Sequence, residues 1–154
     1  MGNETYLHRY AKQTLASWLR RKRSGGKFKW MLQDVTVSEW KSSSSKTVGV
    51  CIEYPIVKTT GGEYQGHTIS WNNKIPTYYQ LKRDQIRPEF MFDIAVINDS
   101  GQVESVFEVE YKSPMTAKKI KFLNDHGIKY YQIPAINIMT CCHPPKNLSC
   151  LLSD

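Results

Sequence analysis

An aspartate lies inside the apolar run Phe90-Met-Phe-Asp-Ile-Ala-Val-Ile97, and after one Gly-containing turn a second strand-like segment reads Phe107-Glu-Val-Glu-Tyr-Lys112. These two segments constrain the fold more than any other part of the chain. Side chains alternate along a strand, so Glu108, Glu110 and Lys112 share one face while Phe107, Val109 and Tyr111 share the other. Asp93 stands between Phe92 and Ile94, where a carboxylate is disfavoured unless something specific compensates for it. Carboxylates converging with a lysine form an oxygen-rich cage suited to Mg²⁺ or Mn²⁺, with an ammonium left over for a water or a phosphate. The plainer alternative is a hairpin edge whose charges face solvent.

A chain of 154 residues suits one domain able to bury roughly two thirds of its unfolded surface. No apolar run approaches a membrane span, and Met1 to Arg9 lacks the apolar core of a secretory signal, so a soluble, intracellular protein with no membrane partner is expected. The net charge of +7 favours a polyanionic partner, and nucleic acid is the commonest one at this size. The run Arg20-Arg-Lys-Arg23, with Lys27 and Lys29, reads equally as a phosphate contact or as a solvated helix end. Cys51 reads as a small apolar strand residue. Cys141, Cys142, His143 and Cys150 offer zinc-ligand types without a paired Cys-x-x-Cys knuckle, and read as reduced thiols in a tail, 140–154, that follows a domain spanning 1–139.

The first segment predicts a helix over 4–23, with Asn3 as N-cap and Ser24-Gly25-Gly26 as its stop. Leu7, Ala11, Leu15, Trp18 and Leu19 form its apolar stripe, and Arg9, Gln13, Ser17 and Arg20 the opposite face. Glu4, His8 and Lys12 follow one another along the edge of that stripe. They read either as a pairing ladder at the core boundary or as the rim of the charged site. Residues 28–40 fit a strand or a hairpin, Ser42 to Ser45 are a polar break, and 47–54 read as a strand. Glu53, near the end of that strand, is either one more acidic ligand or an ordinary strand-end charge. Thr59 to Gly62 form a turn, and Thr77 caps a short helix over 78–84 that ends before Pro88. Then come the strand with Asp93, a turn at Asn98 to Gly101, and the strand with Glu108. Ser113-Pro114 open a helix to about Asn124, Gly127 ends it, and the last strand runs from Ile128 to Ile133 and closes at Pro134. The expected fold is α/β, a mixed central sheet flanked by helices, in the order helix, strand, strand, strand, helix, strand.

That order and those charges resemble the PD-(D/E)XK nuclease superfamily, whose restriction-endonuclease-like core places acidic residues on adjacent central strands. The likeness is to small nuclease-like domains related to the competence-protein group, some carried by phages and large DNA viruses. It spans Asn3 to Ala135. Such domains carry Glu and His-x-x-x-Lys on a first helix, as in Glu4, His8 and Lys12, then an aspartate as in Asp93-Ile-Ala-Val and an acid as in Val106-Phe-Glu-Val. Lys118-Lys-Ile-Lys-Phe-Leu and Gly127-Ile-Lys-Tyr-Tyr-Gln-Ile complete it. The superfamily's Pro-Asp pair is absent here, since Pro88 precedes Glu89 and Asp93 comes later. The Glu-x-Lys element has two registers. If it is Glu110-Tyr-Lys112, the lysine is Lys112; if Glu108 is the ligand, Glu110 stands where the lysine is expected and Lys112, Lys118 or Lys119 must supply the charge. Parity does not choose between them, although the hairpin spacing favours Glu108.

The resemblance implies a metal-dependent nuclease that hydrolyses phosphodiester bonds in DNA, with single-stranded and branched forms among the candidate substrates. Asp93 and Glu108, or Glu110 in the second register, would hold Mg²⁺ or Mn²⁺ with the carbonyl of Val109 or of Tyr111. Glu53 and a lysine would complete the catalytic set, and His8, Lys12, Lys118 and Lys119 would contact the nucleic acid. Trp71, Tyr78 and Tyr79 read as base-stacking residues or as core. The alternative is an inactive nuclease-fold module that binds nucleic acid, and a third reading is a protein-interaction domain needing no metal. A homodimer is compatible with either nucleic-acid reading.

Overall fold

The computed structural model describes residues 5–21, 23–24, 27–32, 35–41, 49–71, 75–97, 101–111, 114–141 and 151–152, and side chains outside 20–41. Asn3, Glu4, the Ser42–Ser45 break, Asn98 to Ser100, Lys112, Ser113, Cys142, His143 and Cys150 lie outside the described residues, as do the side chains of the basic run 20–29.

Helix α1 spans Tyr6–Arg21. Thr5 opens it: its hydroxyl accepts the His8 amide at 3.1 Å, so the first turn is capped two residues later than Asn3 would place it. The expected stripe buries Ala11, Leu15, Trp18 and Leu19, joined by Ala16, while Leu7 stays largely exposed. A small antiparallel sheet is formed by β1 (Arg23–Ser24), β2 (Lys27–Leu32) and β3 (Val35–Lys41), in that order. The segment 28–40 is therefore a hairpin.

The main sheet is mixed and five-stranded. It comprises β4 (Val50–Lys58), β5 (Tyr64–Gln65), β6 (Phe90–Ile97), β7 (Val103–Glu110) and β8 (Lys129–Pro134), ordered β5-β4-β6-β7-β8. β4, β6 and β7 form an antiparallel meander, and β8 lies parallel to β7. A parallel neighbour requires a crossover, and α3 (Ala117–Asp125) supplies it. Thr116 caps that helix in place of Ser113, and Gly127, at φ 65, follows its end. The chain between β5 and β6 carries α2 (Tyr78–Arg83), which starts at a full capping box of Thr77 and Gln80. A helix not expected from the sequence, α4 (Ala135–Met139), follows Pro134 directly.

Two apolar layers cover the sheet. On one face α1 and α4 pack on Ile94, Val96, Phe107, Val109 and Ile133; on the other, Phe122 and Leu123 of α3 pack on Phe90, Phe92, Ala95, Ile97 and Val106. Leu151 is fully buried in the first layer, and its carbonyl accepts Asn137 Nδ2 at 2.9 Å, so the described end of the C-terminal tail is part of this core.

The two central strands change faces at one rung. In β6, Phe90 and Phe92 belong to the α3 layer but Ile94 and Val96 to the α1 layer; in β4, Val50 and Ile52 pack on the α1 layer but Tyr54 and Ile56 belong to the other. Period-two alternation would keep each of those sets on a single face. The switch falls at Glu53 and Asp93, one residue each between the paired rungs Ile52–Ile94 and Tyr54–Phe92. Glu53 absorbs it with a left-handed backbone, φ 56, a conformation a residue with a Cβ adopts at a cost of about 1–3 kcal/mol.

Candidate active site

The β6–β7 ladder stops at the pair Ile94–Phe107. Beyond it each strand bonds to the other through a carboxylate instead of a carbonyl. The Asp93 amide donates to Glu108 Oε2 at 2.7 Å, and the Val109 amide donates to Asp93 Oδ2 at 2.8 Å. Two acids are thereby held side by side at the mouth of a split between central strands, each fixed by a main-chain donor of its neighbour. That reciprocity explains how the sequence tolerates a carboxylate inside Phe-Met-Phe-Asp-Ile: the strand-splitting acid replaces the ladder bond that its own position lacks.

Cations close the cluster from both layers. From α1, Lys12 is 3% exposed and reaches Glu53 Oε1 at 3.3 Å and Asp93 Oδ1 at 4.0 Å. His8, one turn earlier, sets Nε2 at 2.7 Å from the Val109 carbonyl and 3.5 Å from Asp93 Oδ2. A carbonyl only accepts, so Nε2 carries a proton. The hydrogen bond to Asp93, opposed by partial burial and reinforced by the charge of that carboxylate, raises the His8 pKa above its ordinary value. From the α3 side, Lys119 donates to Glu108 Oε1 at 2.8 Å and to the Met91 carbonyl at 2.9 Å. Lys119 sits in the first turn of its helix, where the dipole disfavours a cation, and a buried carboxylate within hydrogen-bond reach offsets that cost.

Glu108 is 6% exposed. Burial, with the Asp93 charge beside it, pushes its pKa up, and Lys119 pulls the other way without cancelling the rise. Three acids, Glu53, Asp93 and Glu108, thus face Lys12, Lys119 and His8 in one cluster.

The sequence-derived candidates divide sharply. Asp93, Glu108, Glu53, His8, Lys12 and Lys119 meet here. Glu110 instead lines a cleft with Leu7, Tyr111, Pro134, Ala135, Ile136 and Met139. Lys118 points outward, pairing with Glu89 at 3.6 Å and lying over the Phe90 ring. Lys12, expected as a phosphate contact, is an internal counter-ion. Lys112 and Glu4 lie outside the described residues. Trp71 packs against the α3 layer, whereas Tyr79 is exposed.

Among the described residues no group of three His, Cys, Asp or Glu side chains forms a ready metal cage. The donor set nevertheless matches a hard divalent cation in kind: two carboxylates and a main-chain carbonyl, all oxygen, converge where like charges already repel. Cys51 and Cys141 are free thiols. No helix among the described residues is long and apolar enough to cross a membrane. No family model, curated protein or solved structure matches the chain.

Proposed function

We propose that this protein is a metal-dependent nuclease of restriction-endonuclease-like topology, hydrolysing phosphodiester bonds in DNA with Mg²⁺ or Mn²⁺. The observation that carries this reading is the pair Asp93 and Glu108 at the β6–β7 split, each bonded to the other's strand and flanked by lysines from opposite layers. The order α1, β4, β6, β7, α3, β8, with three antiparallel strands and a parallel fourth, supports the same topology.

Asp93, Glu108 and the Val109 carbonyl would hold the ion. When bound, a divalent cation supplies an acidified water and polarises the scissile phosphate. Lys119 takes the place that Glu110 leaves without a positive charge: its ammonium reaches Glu108 from the helix instead of from the strand. There it would offset charge developing on the pentavalent phosphorus. His8 presents a proton beside Asp93, and the buried Lys12 ammonium lies within ion-pair reach of both Glu53 and Asp93. The net positive charge of the chain suits a polyanionic substrate.

The test is cleavage of plasmid, linear and single-stranded DNA with Mg²⁺, Mn²⁺ or EDTA. Parent protein should cut in a metal-dependent way, and Asp93→Asn should bind DNA without cutting. Cleavage by Asp93→Asn at the parent rate removes the site from the mechanism. A second reading, a module that binds nucleic acid without turnover, is favoured by the lysines that already neutralise the acids. DNA binding without cleavage by the parent under any metal selects it.

A further inference from the structure

A groove of about 640 Å³ is lined by Tyr78 and Lys82 of α2, by Ile86, Arg87 and Glu89 of the following segment, and by Met91 of β6, two residues before Asp93. We propose that it is a track for a single-stranded polynucleotide that leads an unpaired strand to Asp93 and Glu108, a reading that rests on the nuclease assignment for its direction but not for its binding.

Three features support the track. Its chemistry is mixed in the way a single strand requires. Tyr78 is 37% and Ile86 41% exposed, so apolar surface lies open beside the cations Lys82 and Arg87. A duplex offers phosphates but keeps its base faces stacked inside; an unpaired strand offers both. Charge is the second feature. Lys82 and Arg87 line the groove, and the one acid among its lining residues, Glu89, is paired with Lys118 of α3 at 3.6 Å, which leaves the two lining cations in excess.

The third is continuity with the acids. The inner wall ends at Met91, whose carbonyl accepts the same Lys119 ammonium that holds Glu108, two residues before Asp93. No rung of β7 pairs with β6 before Ile94, so the first half of β6 leaves its inner edge to Lys119 and the split. The groove walls are also built to stay in place. The Thr77–Gln80 capping box fixes the start of α2, the Ile86 amide bonds back to Leu81, and the Glu89 amide bonds to Ile56 of β4. Gln85 holds the turn with φ 57, a left-handed backbone outside glycine. Such a wall loses little freedom on binding, which favours affinity.

The experiment is fluorescence anisotropy of a labelled oligothymidylate and of a duplex of equal length, with full-length protein in EDTA so that cleavage plays no part. The single strand should bind about tenfold or more tighter than the duplex. Tyr78→Ala should weaken single-strand binding about tenfold while Tyr78→Phe keeps it, because the ring face does the work. Lys82→Ala with Arg87→Ala should lower the salt slope by roughly one to two units. Circular dichroism of each variant establishes that it is folded, and a poorly folded Tyr78→Ala is replaced by Tyr78→Leu with the same expectation. Equal affinity for both forms, or an unchanged affinity in folded Tyr78 variants, overturns the track. Metal-dependent cutting that persists in either case leaves the nuclease reading standing, and single-strand binding without any cutting does the reverse.

Discussion

Replacing Lys119 by methionine isolates the contribution of the buried pair it makes with Glu108. At 2.8 Å the attraction is about 6 kcal/mol before desolvation for an effective dielectric of ~20. Breaking one partner of a buried pair costs about 3–5 kcal/mol, and partial exposure of the Lys119 side chain together with the readiness of Glu108 to take up a proton should reduce this to about 2–3 kcal/mol at neutral pH. For a domain of this size that is a fall in Tm of about 5–10 °C. The pH dependence has a definite sign. Glu108 has a folded pKa raised above its ordinary 4.5, so its penalty on the native state is absent in acid and grows as pH rises through the folded value. Without Lys119 that penalty deepens, so the loss should shrink in acid and be full at neutral pH. Adding Glu108→Gln to Lys119→Met should restore about 1.5 kcal/mol or more, because a neutral acceptor still serves the Asp93 amide. Urea unfolding of the four proteins at acid and neutral pH measures all of this. A single-variant loss below about 0.5 kcal/mol, or zero coupling, would show that Glu108 does not depend on that ammonium.

Glu108→Gln should cut metal-dependent cleavage by ~100-fold or more while Glu110→Gln stays within a few-fold of the parent, measured as initial rates; the opposite ranking would move the site to the end of β7. His8 has a raised folded pKa, so its stabilising contribution is complete below 6.5 and is lost as pH rises through the folded value. His8→Gln should flatten that loss in a stability profile, and a decline identical to the parent's would sever His8 from Asp93. At Glu53, glycine should be more stable than alanine by about 1 kcal/mol in urea unfolding, the reverse of the usual strand order, because both lose the carboxylate and only alanine keeps the left-handed strain.

Much of the site's frame is legible in the sequence because it rests on local periodicity. The stripe Ala11, Leu15, Trp18 and Leu19 fixes the phase of α1, and that phase alone carries His8 and Lys12 to the sheet. Thr77 opens α2 through capping chemistry, a local rule, while the helix ends at Arg83, before Pro88 is reached. What escaped is what the tertiary fold decides. Phe90, Phe92, Ile94 and Val96 read as one face, and nothing in their order announces the switch at Asp93. Glu53 lies within β4, not near its end, because the strand runs on to Lys58. Lys119 belongs to a different element from Glu108, so no spacing rule along one strand selects it over Lys118. Pro134 closes β8 as its position in the sequence predicts, yet it also serves as the N-cap residue of α4.

The exchange of carboxylates for ladder carbonyls at the β6–β7 split ties chemistry to strand cohesion. The Asp93 and Val109 amides are protected from solvent only as long as Glu108 and Asp93 keep their oxygens turned toward them. An ion that draws those oxygens elsewhere frees the two amides and relaxes the mouth of the split. Occupancy of the acids and opening of the strands are therefore linked equilibria, each biasing the other by the same free energy. Amide hydrogen exchange at two backbone positions then becomes a readout of ligation that requires neither turnover nor a chromophore.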